Sequence, residues 1–380
     1  MPTRERLVTY GVSTAAAATI TVAALLQPWR GGDVADPVHE ATPVVRSKHA
    51  VDVVFAVDTT GSMGGLIEGA KRTVWSIATH IRKTDPDAEL RIGLVAYRDV
   101  GDDYVTRDFS LTSDLDAVFT ELSSYQAAGG GDTPEDVAAA LDDSLHKMAW
   151  RDGAKKLVFL VGDAPPASRG DVPTFDVLAR EAGDKQIIIN TIRCGWDHDA
   201  EMAWQQIASL AHGQFSTIQQ DGGVQQIATP YDDKLAEISA RIDSTTVIVG
   251  DEGDRVEYRR NMAAAEAAPA PAKADRAMYY ATKGGPRGGG RAKKDLVGGV
   301  ATGTMDLDAV APTTLPDDLR GMDKPALKAE IEKRAELRKA AQDELTTVAK
   351  QRDEYLKAQA KDGEGGFDAK VKAAIDAQLK

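Results

Sequence analysis

The chain is 380 residues long, with a formal net charge of −13 and one cysteine, Cys194. That length leaves room for two or three domains, one of them with a sizeable α/β core. The acidic balance excludes a general electrostatic attraction to nucleic acid, and a single cysteine excludes both an intramolecular disulfide framework and a cysteine-rich metal site.

The first segment reads as an export signal. Arg4 and Arg6 precede residues 7–26, which hold no charge, and Gln27-Pro28-Trp29-Arg30 follows. Positive charge before an apolar stretch of roughly membrane-spanning length reads as a signal peptide or membrane anchor over 1–30. The rest of the chain is then expected on the periplasmic or extracellular side, anchored in the inner membrane by residues 7–26 if the segment is uncleaved. The run ends in Ala23-Ala24-Leu25-Leu26 without a small-x-small cleavage site, so cleavage and retention both stay open; no cysteine is there for a lipid anchor.

A polar link over 31–47 leads into a region, 48–245, where strand and helix alternate. Residues 50–57 are rich in Val and read as a central buried strand. Met63, Leu66, Ile67, Ala70, Val74, Ile77 and Ile81 recur at helical spacing, giving an amphipathic helix that ends before Asp85-Pro86. Further strands are expected at 90–97, 105–110, 156–161, 187–193 and 214–218, and helices at 114–125, 134–150, 173–182 and 199–211. This order predicts an α/β fold: a doubly wound, mostly parallel sheet with helices on both faces. Cys194 closes a strand and reads as a packing residue.

Beyond residue 245 the character changes. Residues 246–322 read as a low-complexity linker, with Ala267-Ala268-Pro269-Ala270-Pro271-Ala272 extended and the Gly-rich, basic stretch 284–294 flexible. Residues 323–380 read as a charged helical tail. Its long helix carries favourable i,i+4 pairs, Glu330 with Arg334 and Asp353 with Lys357. Arg338 and Arg352 interrupt its apolar face, which favours a solvated or fold-back helix over a coiled-coil dimer. Residues 367–379 form a second short helix able to pair with it as a hairpin.

Three loop segments carry the chemistry. Asp58-Thr59-Thr60-Gly61-Ser62 follows the first strand, Gly129-Gly130-Gly131-Asp132-Thr133-Pro134-Glu135 precedes a helix, and Gly162-Asp163-Ala164-Pro165-Pro166 follows the strand at 156–161. Carboxylates and hydroxyls without His or Cys are hard ligands, suited to Mg²⁺, Mn²⁺ or Ca²⁺ and not to zinc. Loops at the carboxyl ends of strands form the ligand crevice of an open α/β sheet. Taken singly, Asp58, Thr60 or Ser62 could cap a helix, and Asp132 and Glu135 read as caps of the helix starting at Pro134.

Asp58-x-Thr60-x-Ser62, the distant Thr133 and the distant Asp163 resemble the metal-ion-dependent adhesion site of von Willebrand factor A (VWA) domains. The words Arg91 to Asp99, Gly129 to Glu135 and Val161 to Pro166 are similar to those of bacterial members, and the likeness covers roughly 48–245. The resemblance implies one short antiparallel edge strand, at 105–110. It also implies that Thr60, Ser62 and Thr133 touch a divalent ion directly, while Asp58 and Asp163 act through waters and by orienting the hydroxyls. One coordination position then stays open for an Asp or Glu carboxylate of a protein partner. Thr60 stands where many members have Ser; the hydroxyl is kept.

No catalytic constellation is visible. Ala70 and Arg72 break the likeness of 65–72 to a phosphate-binding loop, and Thr60 replaces the glycine that a nucleophile elbow at Ser62 requires. The expected function is a divalent-cation-dependent protein-binding module, for adhesion or scaffolding, exported to the cell envelope. The alternatives are a structural scaffold with a loop-stabilising metal, and a non-catalytic subunit of a kinase- or ATPase-type system.

Overall fold

In the computed structural model, β1 (Ala50–Asp58) is buried at every position, as its run of Val, Phe and Ala requires of a strand covered on both faces. The structure describes residues 49–131, 134–167, 172–224, 226–283, 292, 294–359 and 365–379. The expected N-terminal signal or anchor therefore lies outside the described residues, as does Thr133.

After β1 come α1 (Gly64–Thr84), β2 (Glu89–Tyr97), β3 (Thr106–Thr112), α2 (Leu115–Ser124), α3 (Val137–His146), β4 (Lys155–Gly162), α4 (Phe175–Asp184), β5 (Ile187–Cys194), α5 (His198–Leu210) and β6 (Phe215–Ile218). They form a six-stranded sheet in the order β3-β2-β1-β4-β5-β6. All neighbours pair in parallel except β2 with β3, the antiparallel edge. The two faces have separate cores. Val53, Phe55 and Val57 of β1 pack with α1 and α2, while Val54 and Ala56 pack with α3, α4 and α5. This is the period-two alternation of a strand, applied to a sheet buried on both sides.

The helix expected from Pro134 begins later. Asp136 caps α3, its side chain accepting from the Ala139 N–H at 2.9 Å, so Glu135 is left outside the helix. Cys194 closes β5, buried, as expected.

The larger departure lies beyond residue 230. α6 (Asp232–Asp243), which the strand-and-helix reading leaves out, is followed by α7 (Glu252–Ala267) and α8 (Ala270–Lys283). The Ala/Pro stretch read as extended is thus helical on both sides of Ala268 and Pro269. Pro271 falls in the first turn of α8, where a missing N–H costs no intrahelical bond. α9 (Leu296–Thr302), α10 (Asp317–Arg320), α11 (Lys324–Gln359) and α12 (Phe367–Gln378) complete the chain.

The arginines that seemed to spoil the apolar face of α11 are its anchors. Arg338 is buried against Asp295 at 2.5 Å and Thr245 at 2.7 Å, and Arg352 against Asp232 at 2.8 Å and Asp275 at 2.7 Å. On α8, Arg276 grips Asp116 of α2 with two bonds of 2.7 Å and Asp243 at 2.6 Å. Each buried guanidinium meets carboxylates, the condition under which a buried charge is tolerated.

α12 packs against α1 and β5 and enters the sheet core. Phe367, Val371, Ala374 and Ile375 are buried in the same cluster as Phe55, Phe159 and Ile192. Its start is tied down by the Phe367 N–H, which donates to the Gly222 carbonyl at 2.8 Å.

Candidate metal site at the carboxyl edge of the sheet

β1 lies between β2 and β4, so the chain turns one way from β1 to β2 and later enters β4 on the other side. The crevice between the carboxyl ends of β1 and β4 is the switch point where open α/β sheets bind ligands. Asp58 ends β1, and Asp163 follows the last residue of β4.

Gly162 makes this approach possible. A Cβ there would lie 2.3 Å from the Tyr97 hydroxyl and 3.1 Å from the Asp58 Cβ, so no larger residue fits. Trp204 fixes the loop beyond, its indole N–H donating to the Ala164 carbonyl at 3.1 Å.

The three loops are stitched together by backbone bonds. Gly61 N–H donates to Gly129 O at 3.3 Å and Ala128 N–H to Thr59 O at 3.1 Å. Glu135 N–H donates to Pro165 O at 3.1 Å, and Ala167 N–H to Glu135 O at 2.6 Å. Gly129 and Gly130 adopt φ of 78° and 75°, a left-handed path that favours glycine. The glycine run is therefore a pinned turn that permits close approach.

Asp58 is wholly buried. Its Oδ1 accepts from the Thr60 N–H at 2.8 Å and the Thr60 hydroxyl at 2.7 Å. Its Oδ2 is buried and has no hydrogen-bond partner among the described residues. The Thr60 and Ser62 hydroxyl oxygens lie 3.5 Å apart. Neither Thr60 nor Met63, the residues preceding the short 3₁₀ turn and α1, makes a side-chain cap bond. The capping alternative for Thr60 and Ser62 thus has no bond to support it. Asp163 Oδ2 accepts from the Gln220 amide at 2.6 Å. Thr60, Ser62 and Asp163 line a cavity of about 370 Å³ together with Glu135, Gln220 and Trp196, and Asp58 is tied to it through its bonds to Thr60.

The electrostatics are those of negative charge without compensation. Burial raises the Asp58 pKa to about 7, and the nearby Asp163 adds to the rise. Glu135 goes to about 8, through burial and then the charges of Asp58, Asp99, Asp102 and Asp163. Its Oε2 is also buried without a partner among the described residues. A buried carboxylate lacking a countercharge is costly, and a cation relieves it. The donors present fit a hard divalent ion. Among the described residues no group of three or more His, Cys, Asp or Glu is placed to hold a metal. The expected set contains two carboxylates, and its remaining members are hydroxyls.

Sequence reasoning missed three residues here. Glu135 was expected to cap a helix, but only one of the adjacent Glu135 and Asp136 can do so, and Asp136 does. Gln220 and Trp196 come from the loops after β6 and β5, where no motif points to them. Position after a strand's carboxyl end was the available signal.

Residues 52–230 match the family model of the von Willebrand factor type A domain. Residues 52–230 are therefore a VWA-type domain. The chain is 30% identical over 124 residues to the alpha-protein kinase vwkA of Dictyostelium discoideum, covering 32% of this chain and 19% of that protein. It is 34% identical over 118 residues to human von Willebrand factor A domain-containing protein 7, covering 31% of this chain and 12% of that one. The chain thus spans less than a fifth of either relative. Among solved structures, BatB from Bacteroides thetaiotaomicron aligns at 16% identity and a TM-score of 0.35, over 44% of this chain and 90% of that one.

Proposed function

We propose that this protein binds a protein partner through a divalent cation, Mg²⁺ or the similarly hard Mn²⁺ or Ca²⁺, held by Asp58, Thr60, Ser62, Thr133 and Asp163. The observation that carries the reading is the buried Asp58 Oδ2, without a hydrogen-bond partner among the described residues, beside two hydroxyls that cap no helix. A cation ringed by neutral hydroxyls keeps much of its charge, and a partner's Asp or Glu supplies both the anion and the hard oxygen it lacks. The loops are already joined by backbone bonds, which favours binding over the alternative of a metal that only stabilises loops. The uncharged run 7–26 after Arg4 and Arg6 supports placement in the cell envelope. Among the described residues no helix is long and apolar enough to cross a membrane, and residues 7–26 lie outside them.

Calorimetric titration of the full chain with Mg²⁺ tests the site. One ion per chain is expected, lost in Asp58→Ala and in Thr133→Ala while circular dichroism stays unchanged. Unaltered affinity in both variants would overturn the assignment. A partner bound equally well in excess chelator would sink the carboxylate reading.

A further inference from the structure

The rim of the same crevice carries a residue that the metal reading does not use. Trp196 is 88% exposed and lines the cavity above Asp163 and Gln220. Tryptophan is enriched among the residues that carry binding energy at contact surfaces, and this one stands exposed at the edge of a polar pocket. This side chain is presented from a fixed backbone. Gly195, before it, takes φ of 70° and donates its N–H to Ile218 O at 3.1 Å. That φ favours glycine, and a Cβ there would also displace the Gln220 amide, whose oxygen would lie 2.3 Å away. Asp197, after it, caps α5 by accepting from the Ala200 N–H at 2.7 Å. With the backbone fixed, only the two side-chain torsions of Trp196 remain to be ordered on binding.

The charged side chains that line the cavity beside it have one sign. The described residues lining the cavity include Glu135, Asp163 and Asp197 and no Lys, Arg or His. A lone acidic ligand would meet the ion and then a wall of carboxylates. A cation beside that ligand's carboxylate would meet an indole face and the Asp197 charge, which together favour it.

We infer that the partner segment is zwitterionic: its metal-seeking Asp or Glu is accompanied by a Lys or Arg that lies on Trp196 beside Asp197. This rests on the metal reading above and adds the chemistry of the neighbouring residue. It makes Trp196 a specificity-determining contact in a pocket where the ion alone would accept any exposed carboxylate.

The test uses the full chain in Mg²⁺ and short fluorescent Gly/Ser peptides with one central Glu, with Lys placed at each other position in turn. The same peptide carrying Ala or a second Glu in place of Lys is the comparison. Fluorescence anisotropy should show the best Lys peptide binding about five- to tenfold more tightly than the Ala peptide, and the second-Glu peptide weakest. Trp196→Ala should erase the Lys preference, Trp196→Phe should keep most of it, and Mg²⁺ affinity should be the same in all three chains. A chain that takes up no Mg²⁺ sinks the metal reading and this inference with it. A chain that takes up Mg²⁺ yet binds the Lys and Ala peptides alike overturns this inference alone, and one that takes up Mg²⁺ and binds neither overturns it together with the carboxylate reading.

Discussion

Asp52 and Asp58 sit on the same strand, on the same face, and both are wholly buried. At the amino end, Asp52 receives Arg91 at 2.6 Å and 2.9 Å and Arg151 at 2.6 Å and 3.0 Å, with the Arg151 N–H as a further donor at 3.0 Å. Burial alone pushes its pKa up, but the bonds from Arg91 and Arg151 outweigh that and hold it lowered. At the carboxyl end, Asp58 has two bonds from Thr60 and no guanidinium beside it, and its pKa goes up to about 7. Equal burial thus gives opposite chemistry, because what decides is whether the fold supplies the countercharge. The amino end is closed by protein cations and serves stability. The carboxyl end leaves its charge to be met from outside, which is what a binding site needs.

The largest effect expected is from Asp52→Ala, which strands two guanidinium groups. It should cost about 3–5 kcal/mol in denaturant unfolding, the range for breaking a buried ion pair. Phe367→Ala is the apolar reference. It should cost about 3–5 kcal/mol through the cavity it leaves under the sheet, with no change in Mg²⁺ affinity. A stability unaltered by Phe367→Ala would return α12 to the status of a loose tail.

Mg²⁺ at a hundredfold excess over its dissociation constant should stabilise the wild-type chain by about 2.7 kcal/mol and leave Asp58→Ala unmoved in thermal unfolding. In chelator, Asp58→Ala should cost less than about 1 kcal/mol or stabilise, since it removes a buried carboxylate with no countercharge. A loss equal to that of Asp52→Ala would break the comparison.

The smallest effect is a slope. The unfolded chain releases the Asp58 proton near 3.8, whereas the metal-free folded chain holds it to about 7. The unfolded state therefore binds fewer protons between these values, and stability falls as pH rises through them. Glu135, raised from 4.5 to about 8, extends the fall in the same direction. Asp52, lowered, works oppositely, contributing stability above 3.8 that is lost as pH falls through its folded pKa. Melting temperatures in chelator from pH 4 to 8 should show a shallower decline for Asp58→Asn than for wild type.

Much of the sheet was legible because period two and strand–helix alternation are local signals, and all six strands fall within two residues of their expected bounds. The placement of Asp58, Thr60, Ser62 and Asp163 at the carboxyl edge was legible because each ends or follows a buried strand or opens the turn after it. Glu135 was not, since neighbouring carboxylates compete for one cap and only packing selects the winner. The two helices expected beyond residue 322 are present as α11 and α12, but the stretch 246–322 was misread for a related reason. Alanine-rich, proline-broken sequence has little local pattern, and its helices form where α1, α2 and α6 offer partners.

The sequence by itself determined the α/β order, the oxygen-only donor set and the absence of a cysteine framework, all of which follow from residue type and spacing along the chain. Only the tertiary structure decided which buried aspartate is compensated, that Arg276, Arg338 and Arg352 are internal anchors, and that Trp196 stands at the rim of the site. Those depend on which side chains meet across separations of up to 160 residues, as Asp116 and Arg276 do, and a buried charge takes its meaning from such partners.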